Sequence, residues 1–88
     1  MLKNVNVVGQ NVVKFRHQAG WTQDDLVAKI QLLGCHMTRD IIANIETRRS
    51  SVTDKQIMIL AEVFCVEVGF LFPPISRRAK SEPSRKVV

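Results

Sequence analysis

Cysteine and histidine are scarce in this chain and too widely spaced to build a site. The 88 residues include two residues of each kind: Cys35, Cys65, His17 and His36. They form neither a C-x-x-C pair nor the spacing of zinc ligands, and a secreted disulfide scaffold normally has more cysteines. We therefore expect reduced thiols, no disulfide and no bound metal, as is usual in the cytosol.

Long apolar runs are also missing. Every apolar run is interrupted well short of the ~20 residues that span a bilayer. The start of the chain lacks a basic region followed by an apolar leader segment. These two absences predict a cytoplasmic protein with no membrane partner.

The residue combinations that carry catalysis are missing as well. The sequence holds no spaced carboxylate pair, no nucleophile with a matching base and no phosphate-binding glycine loop. Asp24 and Asp25 are adjacent and point to different sides of a helix, so helix capping explains them better than acid–base chemistry. We predict that the chain is not an enzyme and needs no cofactor.

Positive charge is unevenly distributed. The net charge is +5, yet residues 1–72 hold eight Lys or Arg against seven Asp or Glu, whereas residues 73–88 hold five against one. A basic excess favours nucleic-acid partners, but its placement matters more than its total. The composition of residues 73–88 cannot support a core, which predicts a disordered basic tail. This tail could fold on a protein partner, follow DNA phosphates or only solvate the chain.

What the chain does have is helical patterning within a single all-α domain. Helical spacing of apolar residues, with start and stop signals, predicts five helices: 9–19, 23–31, 39–46, 54–64 and 67–72. In the first helix, Val12, Phe15 and Ala19 are expected to face inward. Strand-length alternation is absent.

Threonine stands at the start of the three middle helices. Thr22 and Thr53 are followed three residues later by Asp25 and Gln56, which is the pattern of a capping box. Each threonine hydroxyl can accept a hydrogen bond from a first-turn amide that has no partner within the helix. Thr38 is expected to cap the third helix in the same way.

The third helix together with its cap, residues 38–46, carries the most informative pattern. Met37 and Ile42 can form a hydrophobic staple around its start, and Ile42 and Ile45 then face inward. The opposite, solvated side carries Arg39, Asp40, Ala43 and Asn44. In a DNA major groove Arg can reach guanine, Asn adenine, and Asp the amino group of cytosine. The competing interpretation is an ordinary amphipathic surface helix whose polar residues only face solvent.

Over residues 8–72 the sequence resembles the phage-repressor and Cro type of helix-turn-helix domain. Three segments carry the resemblance: GWTQDDLVAKI (20–30), TRDIIANIE (38–46) and LAEVFCVEVGFLF (60–72). The resemblance implies a five-helix DNA-binding fold, with residues 1–8 as an N-terminal arm, 9–72 as the domain and 73–88 as the tail.

The resemblance also implies roles for individual residues. Those matching base-contacting positions of the family are Thr38, Arg39, Asp40 and Asn44. Those matching positions that hold the DNA backbone are Gln23, Thr47, Arg48 and Arg49. Arg16 and Glu46 match a pair that joins the first helix to the end of the third, and we expect a partly buried ion pair.

Some positions depart from the family pattern. The connector before the third helix is several residues longer than the usual tight turn, and Val27 replaces a typical alanine. Cys65 stands where a glycine usually takes a left-handed conformation, and Glu67 replaces a capping serine. The longer connector bears on the angle of the third helix, whereas the changes at Cys65 and Glu67 weaken the geometry of the last helix and not the segment expected to touch DNA.

The leading hypothesis is a sequence-specific transcriptional regulator, a repressor, that binds double-stranded DNA as a homodimer. The candidate dimer contacts are Met58, Val68, Phe70, Leu71 and Phe72, with burial in the monomer core as the competing explanation. The alternative function is a protein-interaction module, such as an antitoxin whose tail engages a toxin, or a small helical adaptor.

Overall fold

A computed structural model describes residues 5–74 of the chain, so the predicted tail, apart from Pro73 and Pro74, and the first four residues of the predicted arm lie outside the described residues. This part of the chain is a small all-helical globule without strands. Its four α-helices are α1 (Gly9–Ala19), α2 (Gln23–Leu32), α3 (Arg39–Glu46) and α4 (Asp54–Phe64).

The threonine caps predicted from the sequence are confirmed. Thr22 and Asp25 form a complete capping box at the start of α2, and Thr53 and Gln56 form one at the start of α4. The Thr38 hydroxyl accepts a hydrogen bond from the backbone N–H of Ile41 at 3.2 Å. Local hydrogen bonding therefore determines where three of the four helices begin.

Two left-handed residues end the helices that lead into tight turns. Gly20 follows α1 with φ of 77°, and Cys65 follows α4 with φ of 58°. The cysteine carries a Cβ atom in this conformation, which costs roughly 1 kcal/mol relative to glycine. The left-handed position expected at Cys65 is thus confirmed.

The helices enclose one apolar core. Its members, all buried, are Val8, Val12, Leu26, Ile30, Met37, Ile42, Ile45, Leu60, Ala61 and Leu71. The ring of Phe64 packs against those of Phe15 and Trp21, with centroids 5.6 and 5.9 Å apart. Val8 comes from the predicted arm, so the folded unit includes the end of that arm. Ala19, expected to face inward, is exposed because α1 ends there.

The last predicted helix is shorter and tighter than expected. Instead of an α-helix over 67–72, a 3-10 helix spans Val68–Leu71. The side chain of Glu67 makes no capping hydrogen bond, and Phe72 is already extended, with ψ of 149°. Phe72 precedes Pro73, and a residue before proline is disfavoured in the helical region.

The longest helices of residues 5–74 have 11 residues, so none of them is long enough to cross a bilayer.

Candidate nucleic-acid interface

The exposed side of α3 carries four of the polar residues singled out in the sequence. Thr38, Arg39, Asp40 and Asn44 are all exposed, whereas Ile42 and Ile45 on the other side are fully buried. Ala43, expected on the solvated side, is only half-buried. The helix therefore presents a polar face over an apolar one, as its sequence predicts.

Opposite charges meet at the start of this face. The Arg39 Nε atom lies 3.8 Å from the Asp24 carboxylate on α2, and both side chains are more than half exposed. An exposed pair of this kind contributes at most about 1 kcal/mol. Arg39 can therefore leave Asp24 at little cost.

The C-terminal end of α3 is held by an ion pair with α1. Arg16 donates through Nε to Glu46 Oε2 at 2.7 Å and through Nη2 to Oε1 at 3.1 Å. Its Nη1 atom donates to the backbone oxygen of Trp21 at 2.9 Å. The two charged side chains are only 11% and 5% exposed, so the partly buried ion pair expected from the sequence is present.

Gln23, at the start of α2, joins the same network. Its Nε2 atom donates to Glu46 Oε1 at 2.9 Å. A carboxamide nitrogen has two N–H donors, so this hydrogen bond uses one of them. The sequence predicts Gln23 at the DNA backbone, and the structure adds an anchoring hydrogen bond to Glu46.

Asn6 is a further anchor, and the sequence did not single it out. Its Nδ2 atom donates to the carbonyl oxygens of Ile45 at 3.2 Å and Ser50 at 2.8 Å. Its Oδ1 atom accepts hydrogen bonds from the backbone N–H groups of Val8 and Gly9 at 3.1 and 2.8 Å. An asparagine just before a helix is a recognisable capping signal, but its contacts across 39 and 44 residues leave no local signal.

Gly9 allows the start of α1 to approach the end of α3 closely. A Cβ atom at this position would lie 2.3 Å from the Ile45 carbonyl oxygen and 2.8 Å from Arg48 Cγ. Such distances cannot exist without movement of the backbone. In the sequence Gly9 marks only a helix boundary, whereas its main role in the fold is this close approach.

The three residues predicted to hold the DNA backbone lie in the loop after α3, and their side chains differ in contacts and exposure. The Thr47 hydroxyl donates back to the Ala43 carbonyl oxygen at 2.9 Å. Arg48 adopts φ of 62° and is half-buried, with its aliphatic stem over Gly9 and its carbonyl oxygen bonded to the Val5 N–H. Arg49 is exposed. Of these three residues, Arg49 has the side chain most open to a phosphate.

The candidate dimer residues do not form one surface. Leu71 is completely buried, so it cannot contact a second copy of the folded chain. Of the two explanations for it, the dimer contact is wrong and burial in the monomer core is confirmed. Leu71 is drawn into the core because the 3-10 helix packs it against α4. Phe70 and Phe72 line a groove with Phe15, whereas Met58 lines a separate groove on α4. Val68 is exposed between Glu67 and Gly69.

One carboxyl group beside this interface has a shifted pKa. The backbone N–H and the hydroxyl of Thr22 hold the pKa of Asp25 below its ordinary value, because hydrogen bonds to a carboxylate favour its charged form. The reciprocal hydrogen bonds between Thr22 and Asp25 hold the start of α2, where Gln23 and Asp24 meet α3.

Residues 5–74 hold no group of three side chains able to ligate a metal ion.

Comparison of the chain with protein-family models, curated proteins and solved structures finds no match.

Proposed function

We propose that this chain is a sequence-specific DNA-binding regulator of the phage-repressor and Cro type, with α3 as the helix that enters the major groove. The observation that supports this most strongly is the contrast within α3. Its polar face is exposed while its C-terminal end is bonded to α1, α2 and the segment before α1. A helix anchored from behind can present side chains to base edges in a reproducible orientation.

In this proposal the base-reading residues lie on α3. Arg39 meets guanine through its two-pronged guanidinium group, and Asn44 meets adenine through its amide. Asp40 accepts from the amino group of cytosine, and Thr38 contacts the DNA at the helix start. All four side chains are exposed, so none of them needs the core to open.

The phosphate contacts come from the neighbouring elements. Arg49 reaches outward from the loop after α3, and Gln23 offers its second N–H from the start of α2. Thr47 and Arg48 lie in the same loop and complete the set. Contacts of this kind position a protein on DNA without selecting a sequence.

We further propose a cytoplasmic repressor that binds a palindromic operator as a symmetric dimer. Two copies then place their α3 helices about 34 Å apart, one helical turn of DNA. Dimerisation is expected to be weak in the free protein and to be strengthened by DNA, because binding of both half-sites stabilises the pair by linkage.

A selection from random duplexes tests this function. The full chain is incubated with a pool of random double-stranded DNA, bound molecules are amplified through several rounds, and the products are sequenced. The proposal expects a palindromic consensus with two half-sites centred about 10 base pairs apart. Enrichment of no sequence over the starting pool would contradict it.

A protein-interaction module is the second candidate function, and the exposed phenylalanines favour it. Phe70 is 63% exposed and Phe72 is 39% exposed beside Pro73 and Pro74. Exposed aromatic groups of this size are typical of surfaces that bind other proteins. Failure of the DNA selection would leave this candidate, in which an antitoxin or adaptor engages its partner here or through the tail.

A further inference from the structure

The outer side of α4 carries a partly exposed apolar stripe. Met58 is 63% exposed, and Ile59 is half-buried: part of its side chain packs against the core, and the rest borders a groove that Met58 also lines. Leu33 and Cys35, from the connector between α2 and α3, border the same groove. Leu33 is itself 40% exposed, so the apolar surface continues from α4 onto the connector.

The two ends of this stripe carry opposite charges. Lys55 and Glu62 line the groove on either side of Met58 and Ile59. The four positions follow the spacing i, i+3, i+4 and i+7, so they form one row along the helix. Lys55 and Glu62 are about 10 Å apart along the helix axis, too far to neutralise each other.

This row is complementary to itself when reversed. Suppose that two α4 helices pack antiparallel about a two-fold axis. The first residue of the row then faces the last residue of the same row in the second copy, and the two middle residues face each other. Lys55 then meets Glu62 of the second copy, and Met58 meets Ile59 of the second copy. The symmetry produces each of these contacts twice, as an isologous interface requires.

We propose that this outer face of α4 is the surface through which two copies of the chain associate. The apolar centre excludes water, and the two Lys–Glu pairs set the antiparallel direction and reject the parallel one. Seven residues line the groove, against roughly 20–30 on each side of a standard stable complex, so we expect a dissociation constant on the order of 10–100 µM. The proposal is independent of DNA binding, because it concerns the free protein.

The face carrying Phe70 is the rival surface, and it offers a matched control. Phe70 and Met58 are equally exposed, at 63% each, on separate grooves. Met58→Ser and Phe70→Ser each remove one exposed apolar side chain without opening the core. Lys14→Glu changes the net charge as Lys55→Glu does, but on the groove of Phe70.

Sedimentation equilibrium of the full chain without DNA, from 1 µM to about 1 mM, measures association directly. Circular dichroism of each variant checks that it folds. We expect Met58→Ser, Lys55→Glu and Glu62→Lys each to weaken association about tenfold or more, because the charge reversals turn two attractive pairs into repulsive ones. Phe70→Ser and Lys14→Glu should change it by less than about twofold.

The decisive variant combines Lys55→Glu with Glu62→Lys. Because both charges are exchanged, each pair across the two-fold axis regains opposite signs, and association should return to within about threefold of the original chain. A chain that stays monomeric throughout the concentration range would overturn the proposal. So would a dimer that is lost in Phe70→Ser but kept in Lys55→Glu, or a double variant no stronger than either single one.

Discussion

The two ends of α3 are built in opposite ways. Its C-terminal end is tied to three other segments, through Arg16 on α1, Gln23 on α2 and Asn6 before α1. Its N-terminal end has one side-chain cap, Thr38, and the exposed, loosely paired Arg39. The tied end is mostly buried, whereas the start of the helix is open to solvent.

This difference separates stability from recognition along eight residues of helix, except that Asn44, exposed on the polar face, belongs to the recognition set although it lies near the tied end. Substitutions at the tied end should lower the free energy of unfolding, because they leave buried polar groups without partners. Substitutions of the exposed side chains at the open end, apart from the Thr38 cap, should leave folding nearly unchanged and alter binding instead. Residues at the two ends of α3 are therefore expected to affect different properties: the free energy of unfolding at one end and DNA binding at the other.

Glu46→Ala should have the largest effect on stability. It leaves the mostly buried Arg16 guanidinium without its carboxylate, and it removes the acceptor of Gln23. We expect a loss of about 3 kcal/mol in the free energy of unfolding, measured by urea denaturation. Glu67→Ala, at an exposed position whose side chain makes no capping hydrogen bond, is the control and should change stability by less than about 0.5 kcal/mol. Equal denaturation midpoints for Glu46→Ala and the original chain would show that the ion pair at the tied end of α3 does not stabilise the fold.

Gly9→Ala should have the second-largest effect on the free energy of unfolding. The added methyl group would lie 2.3 Å from the Ile45 carbonyl oxygen, so α1 and α3 must move apart. Overpacking of this kind typically costs about 1–3 kcal/mol, and we expect about 2 kcal/mol here. Gly69→Ala provides the control, since a Cβ atom there meets nothing within 4 Å. If thermal melting showed both variants equally stable, the close approach would not matter.

Asn6→Ala should cost less, about 1–2 kcal/mol, because the groups that it bonds are only partly buried and water can replace part of its hydrogen bonds. Amide hydrogen exchange adds a local measurement. The N–H groups of Val8 and Gly9 should exchange faster in the variant, and those of α4 should not. Unchanged exchange at the start of α1 would show that Asn6 holds nothing there.

Asp25→Asn should have the smallest effect on the free energy of unfolding, and this effect should appear only at acidic pH. Its folded pKa is lowered, so its contribution to stability is present above the unfolded pKa, near 3.8, and is lost as the pH falls through the folded value. The matching box on α4 uses Gln56, which does not titrate. Asp25→Asn should therefore flatten part of the decline in stability below pH 4, measured by denaturation across pH. An identical acid profile in that variant would rule out this contribution.

The sequence predicts the local features of the fold well. The bounds of α1, α3 and α4 are confirmed because capping threonines, glycine and apolar spacing act over a few residues. The Arg16–Glu46 pair is predictable only through the resemblance to a family. Its spacing of 30 residues carries no periodic signal.

The contacts that the sequence could not reveal join distant segments. Nothing near Asn6 indicates that its amide meets Ile45 and Ser50, and nothing near Gly9 indicates the carbonyl oxygen above it. The sequence left Leu71 either as a dimer contact or as a core residue, because a short apolar segment looks the same inside or outside a core, and the structure shows that it is a core residue. The division of the exposed apolar residues into separate grooves also depends on tertiary packing.

If the open end of α3 reads DNA, paired DNA titrations of Arg39→Ala and Arg49→Ala will separate base recognition from phosphate binding. Each variant is titrated against the selected operator and a scrambled duplex at several salt concentrations, and its melting is recorded. Arg49 is preferred to Arg48 as the phosphate probe, because the stem of Arg48 also packs over Gly9.

We predict that Arg39→Ala loses about 1–3 kcal/mol on the operator, relaxes preference at one base position and melts like the original chain. Arg49→Ala should weaken both duplexes nearly equally and lower the salt slope by about one for each phosphate that it no longer neutralises. If both variants bound DNA as tightly as the original chain, α3 would not be a recognition helix.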